Sequence, residues 1–224
     1  MKYEEIVVIF DFDGTITTED TLDKLFGKYA NQVIYEQRAK DWMDEKIGSN
    51  KCLKDIFDTV SISNNQMVGF IDSLQLRPGF KALMRDFLSY DVPAYILSDG
   101  VDLIIDEVLK EYSEVFEVVY SNKSIHREDG TIHFESRNSN RCLHSPLTCA
   151  HCKPQTVREI RKRYPTKKII YIGDGRSDYT ASLECDFVFA TGSLYSFLKR
   201  SQQVSFSGFQ NFNDVGRIIK SIDV

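Results

Sequence analysis

Short apolar segments rich in β-branched residues alternate with segments of helical periodicity along most of this chain. The first, residues 6–10, is apolar at every position and ends at Asp11. Strands with a continuous apolar run are buried on both faces, and such strands belong to parallel sheets covered by helices. The pattern therefore predicts an α/β fold with a Rossmann-like parallel sheet as its core. The predicted strands are 6–10, 92–97, 115–120, 168–172 and 187–190, with a hairpin at 124–134.

The segment from 16 to 76 interrupts this alternation. Its apolar residues recur at helical spacing, as in Leu22, Leu25, Phe26 and Tyr29, and no convincing strand is present. Because the segment is too long for a simple crossover, we interpret residues 16–76 as a helical cap inserted after the first strand. Residues 1–15 and 77–224 then form the α/β core.

Composition narrows the class of protein. The chain has 224 residues, 42% of them hydrophobic and 27% charged, which is typical of a globular protein and not of a disordered one. Its net charge of −5 argues against a nucleic-acid partner. No apolar run approaches the ~20 residues of a membrane span, and we find no signal peptide. With an odd count of five cysteines, we expect a cytoplasmic protein, either a monomer or a homodimer.

Polar side chains follow the predicted strands. Ligands of such sheets bind at the carboxyl ends of the strands, so these residues are expected to converge on one site. Crowded carboxylates favour a hard divalent cation such as Mg²⁺, and a lysine with a serine hydroxyl suits phosphate oxygens. The residues are Asp11, Asp13, Ser98, Asp174 and Asp178, with Lys153 at the start of a predicted helix.

These residue types predict phosphoryl transfer. A carboxylate can act as the nucleophile and form an aspartyl-phosphate. A second carboxylate can donate a proton to the leaving alcohol and later accept one from water. The expected partner is a small phosphorylated metabolite.

Four ordered motifs resemble those of the haloacid dehalogenase-like phosphatase superfamily: residues 11–15 (DFDGT), Ser98, Lys153 and residues 173–178 (GDGRSD). The resemblance implies that Asp11 is the nucleophile and Asp13 the acid/base. It implies Mg²⁺ as cofactor, bound by the Asp11 carboxylate, the Asp13 backbone carbonyl and Asp174, with Asp178 supporting the metal or holding Lys153. The implied phosphate-binding residues are Ser98, Gly100 and Lys153.

Within the superfamily the chain resembles the phosphoserine phosphatase branch. Residues 98–102 and 149–154 are similar to motifs of the methionine-salvage phosphatases, which act on 2-hydroxy-3-keto-5-methylthiopentenyl-1-phosphate. Phosphoserine, phosphoethanolamine and phosphocholine are alternative substrates. Asp20 occupies the position where phosphoserine phosphatases bind the substrate ammonium, although it also fits the N-cap of a helix. The chain departs from its relatives at Asp99, often Gly, and at Ser177, often Asn.

Several alternatives remain open at this stage. Cys142, Cys149, Cys152, His144 and His151 could bind structural zinc, although packed reduced thiols fit the incomplete spacing better. The aromatic residues of the cap are interpreted as its core and not as a substrate box. The chain could also transfer phosphate to an alcohol acceptor, or be a silent binding module that kept the fold. The aromatic residues concerned are Phe26, Tyr29, Tyr35 and Trp42.

Overall fold

The computed structural model describes residues 3–137 and 147–221, which form a seven-stranded sheet flanked by helices. The spatial order of the strands is β4-β3-β2-β1-β5-β6-β7, and every neighbouring pair is parallel except β3 and β4. The predicted α/β fold with a mostly parallel sheet is therefore confirmed. The strands are β1 (Ile6–Phe10), β2 (Ala94–Val101), β3 (Phe116–His126), β4 (Ile132–Glu135), β5 (Lys168–Gly173), β6 (Phe187–Ala190) and β7 (Ser205–Gly208).

Helices precede, connect and follow the strands. Three 3₁₀ turns add to them, at Tyr3–Glu5, Lys110–Val115 and Arg176–Asp178. Within the described residues, no helix combines the length and the apolar run needed to cross a membrane. The helices are α1 (Thr21–Tyr29), α2 (Gln32–Met43), α3 (Ser49–Phe57), α4 (Asn64–Asp72), α5 (Phe80–Ser89), α6 (Asp102–Val108), α7 (Lys153–Arg163), α8 (Tyr179–Ser182), α9 (Gly192–Ser201) and α10 (Phe212–Ile219).

The central strand β1 is buried at every position, which explains its continuous apolar sequence. Its alternate residues point to opposite faces of the sheet. Ile6, Val8 and Phe10 pack into one hydrophobic cluster, and Val7 and Ile9 pack into a second. Each fully buried side chain of this size contributes about 1.5–3 kcal/mol. The two clusters together hold β1 rigidly, so the residue that follows it is placed precisely enough for chemistry.

Helices α1 to α4 lie between β1 and α5 in the chain, and α3 packs against the β3–β4 hairpin. The ring of Phe57 stacks on that of Phe134 with 5.1 Å between centroids, and Ser61 forms an isolated bridge with Thr131. Asp20, Asn31 and Ser63 cap the N-termini of three of these helices. The apolar core of the helices is therefore continuous with that of the sheet on the hairpin side.

The fold differs from the predicted elements mainly near the C-terminus and at strand ends. Helix α9 and strand β7 were not predicted. Strand β7 is short, carries Ser205 and Ser207, and pairs only with β6 in the described sheet, so it lacks an apolar run. Strand β3 extends to His126 because its second half pairs with β4 in the predicted hairpin. Helix α6, after β2, ends at Val108 and is followed by a 3₁₀ turn.

Candidate active site

The ammonium group of Lys153 lies at the centre of a buried polar cluster at the carboxyl ends of β1 and β5. Its Nζ donates to Asp11 Oδ1 at 2.7 Å, to Asp178 Oδ1 at 2.8 Å and to Ser177 Oγ at 3.2 Å. The side chain is 2% exposed. A buried ammonium must be paired and hydrogen-bonded, and all three of its protons have an acceptor here. The position of Lys153 as the first residue of α7, before Pro154, aims the chain at the strand ends.

Asp178 holds Lys153 through a carboxylate in which each oxygen already accepts two hydrogen bonds. Oδ1 also accepts from the Tyr171 hydroxyl at 2.7 Å. Oδ2 accepts the backbone N–H groups of Asp174 and Gly175, both at 3.1 Å. The side chain is fully buried. With four donors already bound, this carboxylate fits the role of holding Lys153 better than that of a metal ligand.

Burial and mutual charge set the protonation of this cluster. Burial alone disfavours the charged form of Lys153, but Asp11, Asp178 and Asp99 outweigh it, so that the pKa of the ammonium is raised. The pKa of Asp11 is raised well above its usual range by burial and then by the charge of Asp178, against the opposing attraction of Lys153. Without a cation beyond Lys153, the site holds more negative charge than it can stabilise.

Asp13 lies beside Asp11 and is oriented from both sides. Its Oδ1 accepts the hydroxyl of Thr21 and, at 3.3 Å, the backbone N–H of the same residue. Its Oδ2 accepts the Ser98 hydroxyl at 3.0 Å, while Ser98 Oγ accepts the Gly100 N–H at 2.8 Å. Burial raises the pKa of Asp13, and the Thr21 and Ser98 hydrogen bonds only partly offset it. A carboxyl group with a raised pKa is suited to carry a proton.

Gly100 permits this arrangement. A Cβ atom on Gly100 would lie 2.7 Å from Asp13 Oδ2 and 2.9 Å from Ser98 Oγ. Both distances are far below van der Waals contact, so any side chain would displace one of the two polar groups.

Asp174 completes a group of carboxylates with the donor chemistry of a magnesium site. One carboxylate oxygen each from Asp11, Asp174 and Asp178 lies within 4.8 Å of the other two. Burial, and then repulsion from Asp178, raises the pKa of Asp174 to about 6, and Thr15 Oγ1 donates to its Oδ1 at 3.0 Å. Hard oxygen ligands of this kind suit Mg²⁺. Asp11 and Asp174 retain unfilled lone pairs, so the residues present fit the ion.

The loop that carries Asp11 and Asp13 is held by a cation from a distant element. Arg77 donates from Nε to the Thr15 carbonyl at 2.9 Å and from a terminal nitrogen to the Gly14 carbonyl. Gly14 has a φ of +69°, and a Cβ atom there would lie 2.6 Å from Asp174 Oδ2. Both the left-handed backbone and the close approach of Asp174 therefore require glycine at this position.

A cavity of about 170 Å³ opens from these carboxylates towards α1, α2 and α3. We call it the Asp11 cleft. Its inner end carries Asp11, Asp13 and Asp174, and its opposite wall is largely apolar. Polar groups of Asp20, Asp23, Tyr35, Ser49 and Asp99 also reach it. The apolar lining residues are Leu22, Phe26, Ala39, Trp42, Leu53 and Ile56.

The aromatic residues of α1 and α2 divide between two roles. Tyr29 packs edge-on against Phe70, as a core residue would. Phe26 is buried against Phe57, but it also lines the Asp11 cleft together with Tyr35 and Trp42. All four rings pack in the hydrophobic core, as predicted, and three of them also line the cleft.

Asp20 is found at the N-cap of α1, where its Oδ1 accepts the Asp23 N–H at 2.9 Å, and it also lines the cleft. The suggested zinc site is only partly within the described residues. Cys142 and His144 lie outside them. Of the remaining residues, Cys149 is half-buried, Cys152 is buried, and His151 Nε2 lies 2.9 Å from Thr156 Oγ1.

Four residues that orient the site were not predicted from the sequence: Thr15, Thr21, Arg77 and Tyr171. Thr15 belongs to the first motif and could have been suspected from it. Thr21 follows the N-cap position, so its sequence indicates only a helix start. Arg77 is far from the site in sequence, and Tyr171 is one apolar-strand residue among several. For these three no local signal marks the role.

Comparisons with known proteins agree with this geometry. The family model described as Putative Phosphatase matches residues 6–203. The 2-hydroxy-3-keto-5-methylthiopentenyl-1-phosphate phosphatase of Lysinibacillus sphaericus is 30% identical over 222 residues, covering 96% of this chain and 94% of the relative. A polyol phosphate phosphatase of Saccharomyces cerevisiae is 26% identical over 238 residues, covering 96% and 93%.

Solved structures show the same fold. A phosphoserine phosphatase, solved as a phospho-aspartyl intermediate analogue, superposes with a TM-score of 0.69, covering 99% of this chain and 100% of that one at 15% identity. At that sequence identity, the structural similarity shows only that the fold is the same. The assignment as a phosphatase rests on the family match and on the relatives in sequence. The chain therefore belongs to the Putative Phosphatase family and is similar in sequence to 2-hydroxy-3-keto-5-methylthiopentenyl-1-phosphate phosphatases.

Proposed function

We propose that this phosphatase is Mg²⁺-dependent and hydrolyses a small phosphomonoester with an apolar tail through an aspartyl-phosphate on Asp11. The observation that supports this most strongly is the convergence of Asp11, Asp174 and Lys153 at one end of a cleft whose other wall is apolar. The charged end suits a phosphoryl group, and the apolar wall suits the remainder of the substrate.

In the first step, an Asp11 carboxylate oxygen forms a bond to phosphorus as the ester bond to the alcohol oxygen breaks. Asp13 donates its proton to the departing alcohol oxygen. Asp13 then takes a proton from water, whose oxygen attacks the aspartyl-phosphate and releases inorganic phosphate. The raised pKa of Asp13 and its two-sided orientation by Thr21 and Ser98 support this role.

Asp11 and Asp174, with the Asp13 backbone carbonyl, would hold Mg²⁺, whose charge stabilises the transferring phosphoryl group. Lys153 contributes positive charge on the same group, together with Ser98 and the Gly100 backbone as further phosphate contacts. Asp178 keeps Lys153 in place through the hydrogen bonds already described.

The apolar wall is the basis for choosing among substrates. A methylthio tail would pack on Leu22, Leu53 and Ile56, whereas the charged ammonium and carboxylate groups of phosphoserine would lose water there without an apolar contact. The relative from Lysinibacillus sphaericus is named for a substrate with a methylthio tail. We therefore propose 2-hydroxy-3-keto-5-methylthiopentenyl-1-phosphate as the substrate, with a polyol phosphate as the second candidate because of the yeast relative.

We assign residues 16–76 to a cap over the core formed by 1–15 and 77–224. Helices α1 to α3 supply the apolar wall, so closure of the cap would exclude water from the cleft during the first step. We also propose a cytoplasmic location, based on the odd number of cysteines in the sequence.

The reaction is tested with Asp11→Asn and the matched exchange Asp214→Asn on α10, outside the cleft. We expect phosphate release to fall by at least about 10³-fold in the first variant and to stay unchanged in the second. Chelation with EDTA should abolish release, and Mg²⁺ should restore it. Retention of activity in Asp11→Asn would exclude the aspartyl-phosphate mechanism.

The substrate is tested with Leu53→Ser, which makes the apolar wall polar. Loss of about 1.5–3 kcal/mol of apolar contact should lower kcat/KM for the methylthio substrate by about 10- to 100-fold. The kcat/KM for glycerol phosphate, which lacks an apolar tail, should change less than about threefold. Equal losses for both substrates would contradict the assignment of the apolar wall.

A further inference from the structure

Asp99 is held rigidly between the two phosphate-site residues of β2. Its neighbours in the chain are Ser98, which donates to Asp13, and Gly100, which donates to Ser98. The Asp99 carbonyl accepts Asn122 Nδ2 at 2.6 Å, and Asn122 is itself fully buried and accepts the Arg137 N–H. The backbone on both sides of Asp99 is therefore fixed, which limits where its carboxylate can lie.

Asp99 lines two neighbouring cavities. It lines the Asp11 cleft and also a neighbouring cavity of about 390 Å³ that contains Lys153. Ser49, on α3, lines both cavities as well and is the hydrogen-bonding neighbour of this carboxylate. The ammonium of Lys153 attracts the Asp99 charge. These contacts place Asp99 near the phosphoryl end of the cleft and not at its apolar wall.

One oxygen of this carboxylate has no donor. Among the residues that the structure describes, Asp99 Oδ1 is buried and has no hydrogen-bond partner. A buried acceptor left unpaired is destabilising, and buried polar groups in proteins are almost always hydrogen-bonded. Because Asp99 lines the cleft, the missing donor can come from a molecule bound there.

We propose that Asp99 is a specificity-determining residue that accepts a hydrogen bond from a substrate hydroxyl group close to the phosphate ester. The inference rests on the proposed function and narrows it to phosphomonoesters that carry such a hydroxyl. An enediol phosphate with a hydroxyl on the carbon next to the ester meets this requirement, and so does a polyol phosphate. A simple alkyl phosphate does not, and it would leave Oδ1 unpaired.

The test compares glycerol 3-phosphate with n-propyl phosphate, which has the same carbon chain without hydroxyl groups. The wild-type enzyme should favour glycerol 3-phosphate in kcat/KM. In Asp99→Ala this preference should fall by about 10- to 100-fold, as expected for loss of a hydrogen bond to a charged group. Turnover of n-propyl phosphate should fall by less than turnover of glycerol 3-phosphate. Asp58→Ala removes the same charge from an exposed position on the cap and should leave the preference unaltered.

Binding separates this proposal from the proposed function. Affinities of both esters for Asp11→Asn and for the Asp11→Asn, Asp99→Ala double variant can be measured by calorimetry without turnover. The proposal requires the preference for glycerol 3-phosphate to appear in the first protein and to disappear in the second. Equal binding of the two esters to Asp11→Asn, or an equal loss for both on removing Asp99, would overturn it. A preference that persists in binding while wild-type turnover is absent would contradict the proposed hydrolysis alone.

Discussion

Replacement of Asp178 by asparagine should destabilise the protein strongly, because this carboxylate accepts hydrogen bonds from four buried donors. They are the Lys153 ammonium, the Tyr171 hydroxyl and the N–H groups of Asp174 and Gly175. An asparagine carbonyl can serve one pair of donors, and its N–H₂ group then faces the other pair. The ammonium of Lys153 loses one of its two anionic partners while remaining buried.

The expected cost follows from this loss. Removing one partner of a buried ion pair typically costs about 3–5 kcal/mol, since the remaining charge is left uncompensated. Total stability of a domain is about 5–15 kcal/mol, so the variant should unfold at a clearly lower urea concentration. In addition, kcat/KM should fall, because Lys153 is no longer held beside Asp11.

The measurement is urea unfolding followed by circular dichroism, with Asp214→Asn as the matched exchange. The Asp214 carboxylate pairs with Arg217, which is 75% exposed, and exposed pairs contribute at most about 1 kcal/mol. The control should therefore lie within that range of the wild type. A loss below about 1 kcal/mol in Asp178→Asn would refute the argument that Lys153 depends on this carboxylate.

Three further predictions concern the cap, the carboxylates and a buried histidine. Phe57→Ala removes the ring that stacks on Phe134 and should lower the free energy of unfolding by about 3–5 kcal/mol, measured in urea against the exposed exchange Val33→Ala. The pKa of Asp174 is raised to about 6 from 3.8, so its ionisation should destabilise the metal-free fold as pH rises between those values. Mg²⁺ binds the ionised form and should therefore raise the Tm more at pH 7 than at pH 5; a pH-independent increase in Tm would contradict this. Burial, then repulsion from Lys153 and Arg137, lowers the pKa of His151 to about 3. Because unfolding raises that pKa towards 6.5, His151 should cost up to about 1.4 kcal/mol per pH unit as pH falls below 6.5. His151→Gln should remove this part of the pH dependence of Tm, and an unaltered profile would show that the histidine is not buried in its neutral form.

The predicted strands were found where a continuous apolar run marks burial on both faces. Strand β1 is the clearest case, since none of its residues reaches water. Strand β7 was not predicted, because its Ser205–Gly208 sequence carries no such run and its pairing with β6 is a tertiary contact. Helix α9 begins at Gly192, next to a strand end, and its start has no side-chain cap to mark it.

For the candidate site, the residues that follow strands were expected to converge, and the structure brings Asp11, Asp178 and Lys153 within hydrogen-bonding distance. Arg77 and Tyr171 could not be found in this way. Their roles depend on contacts with the Gly14 carbonyl and the Asp178 carboxylate, and both contacts exist only after the sheet has formed.

Local sequence was sufficient for the α/β class and for the residue types that meet at the candidate site, because burial of a strand and the chemistry of a side chain follow from residue type and immediate neighbours. Which partner each of these residues contacts was decided by the fold. Asp178 became the partner of Lys153 through a contact between elements that are 25 residues apart in sequence. The apolar wall of the Asp11 cleft is likewise a tertiary property. A helical face of Leu22 and Phe26 has the same periodicity whether it packs into a core or lines a cavity, and only the neighbouring elements decide which.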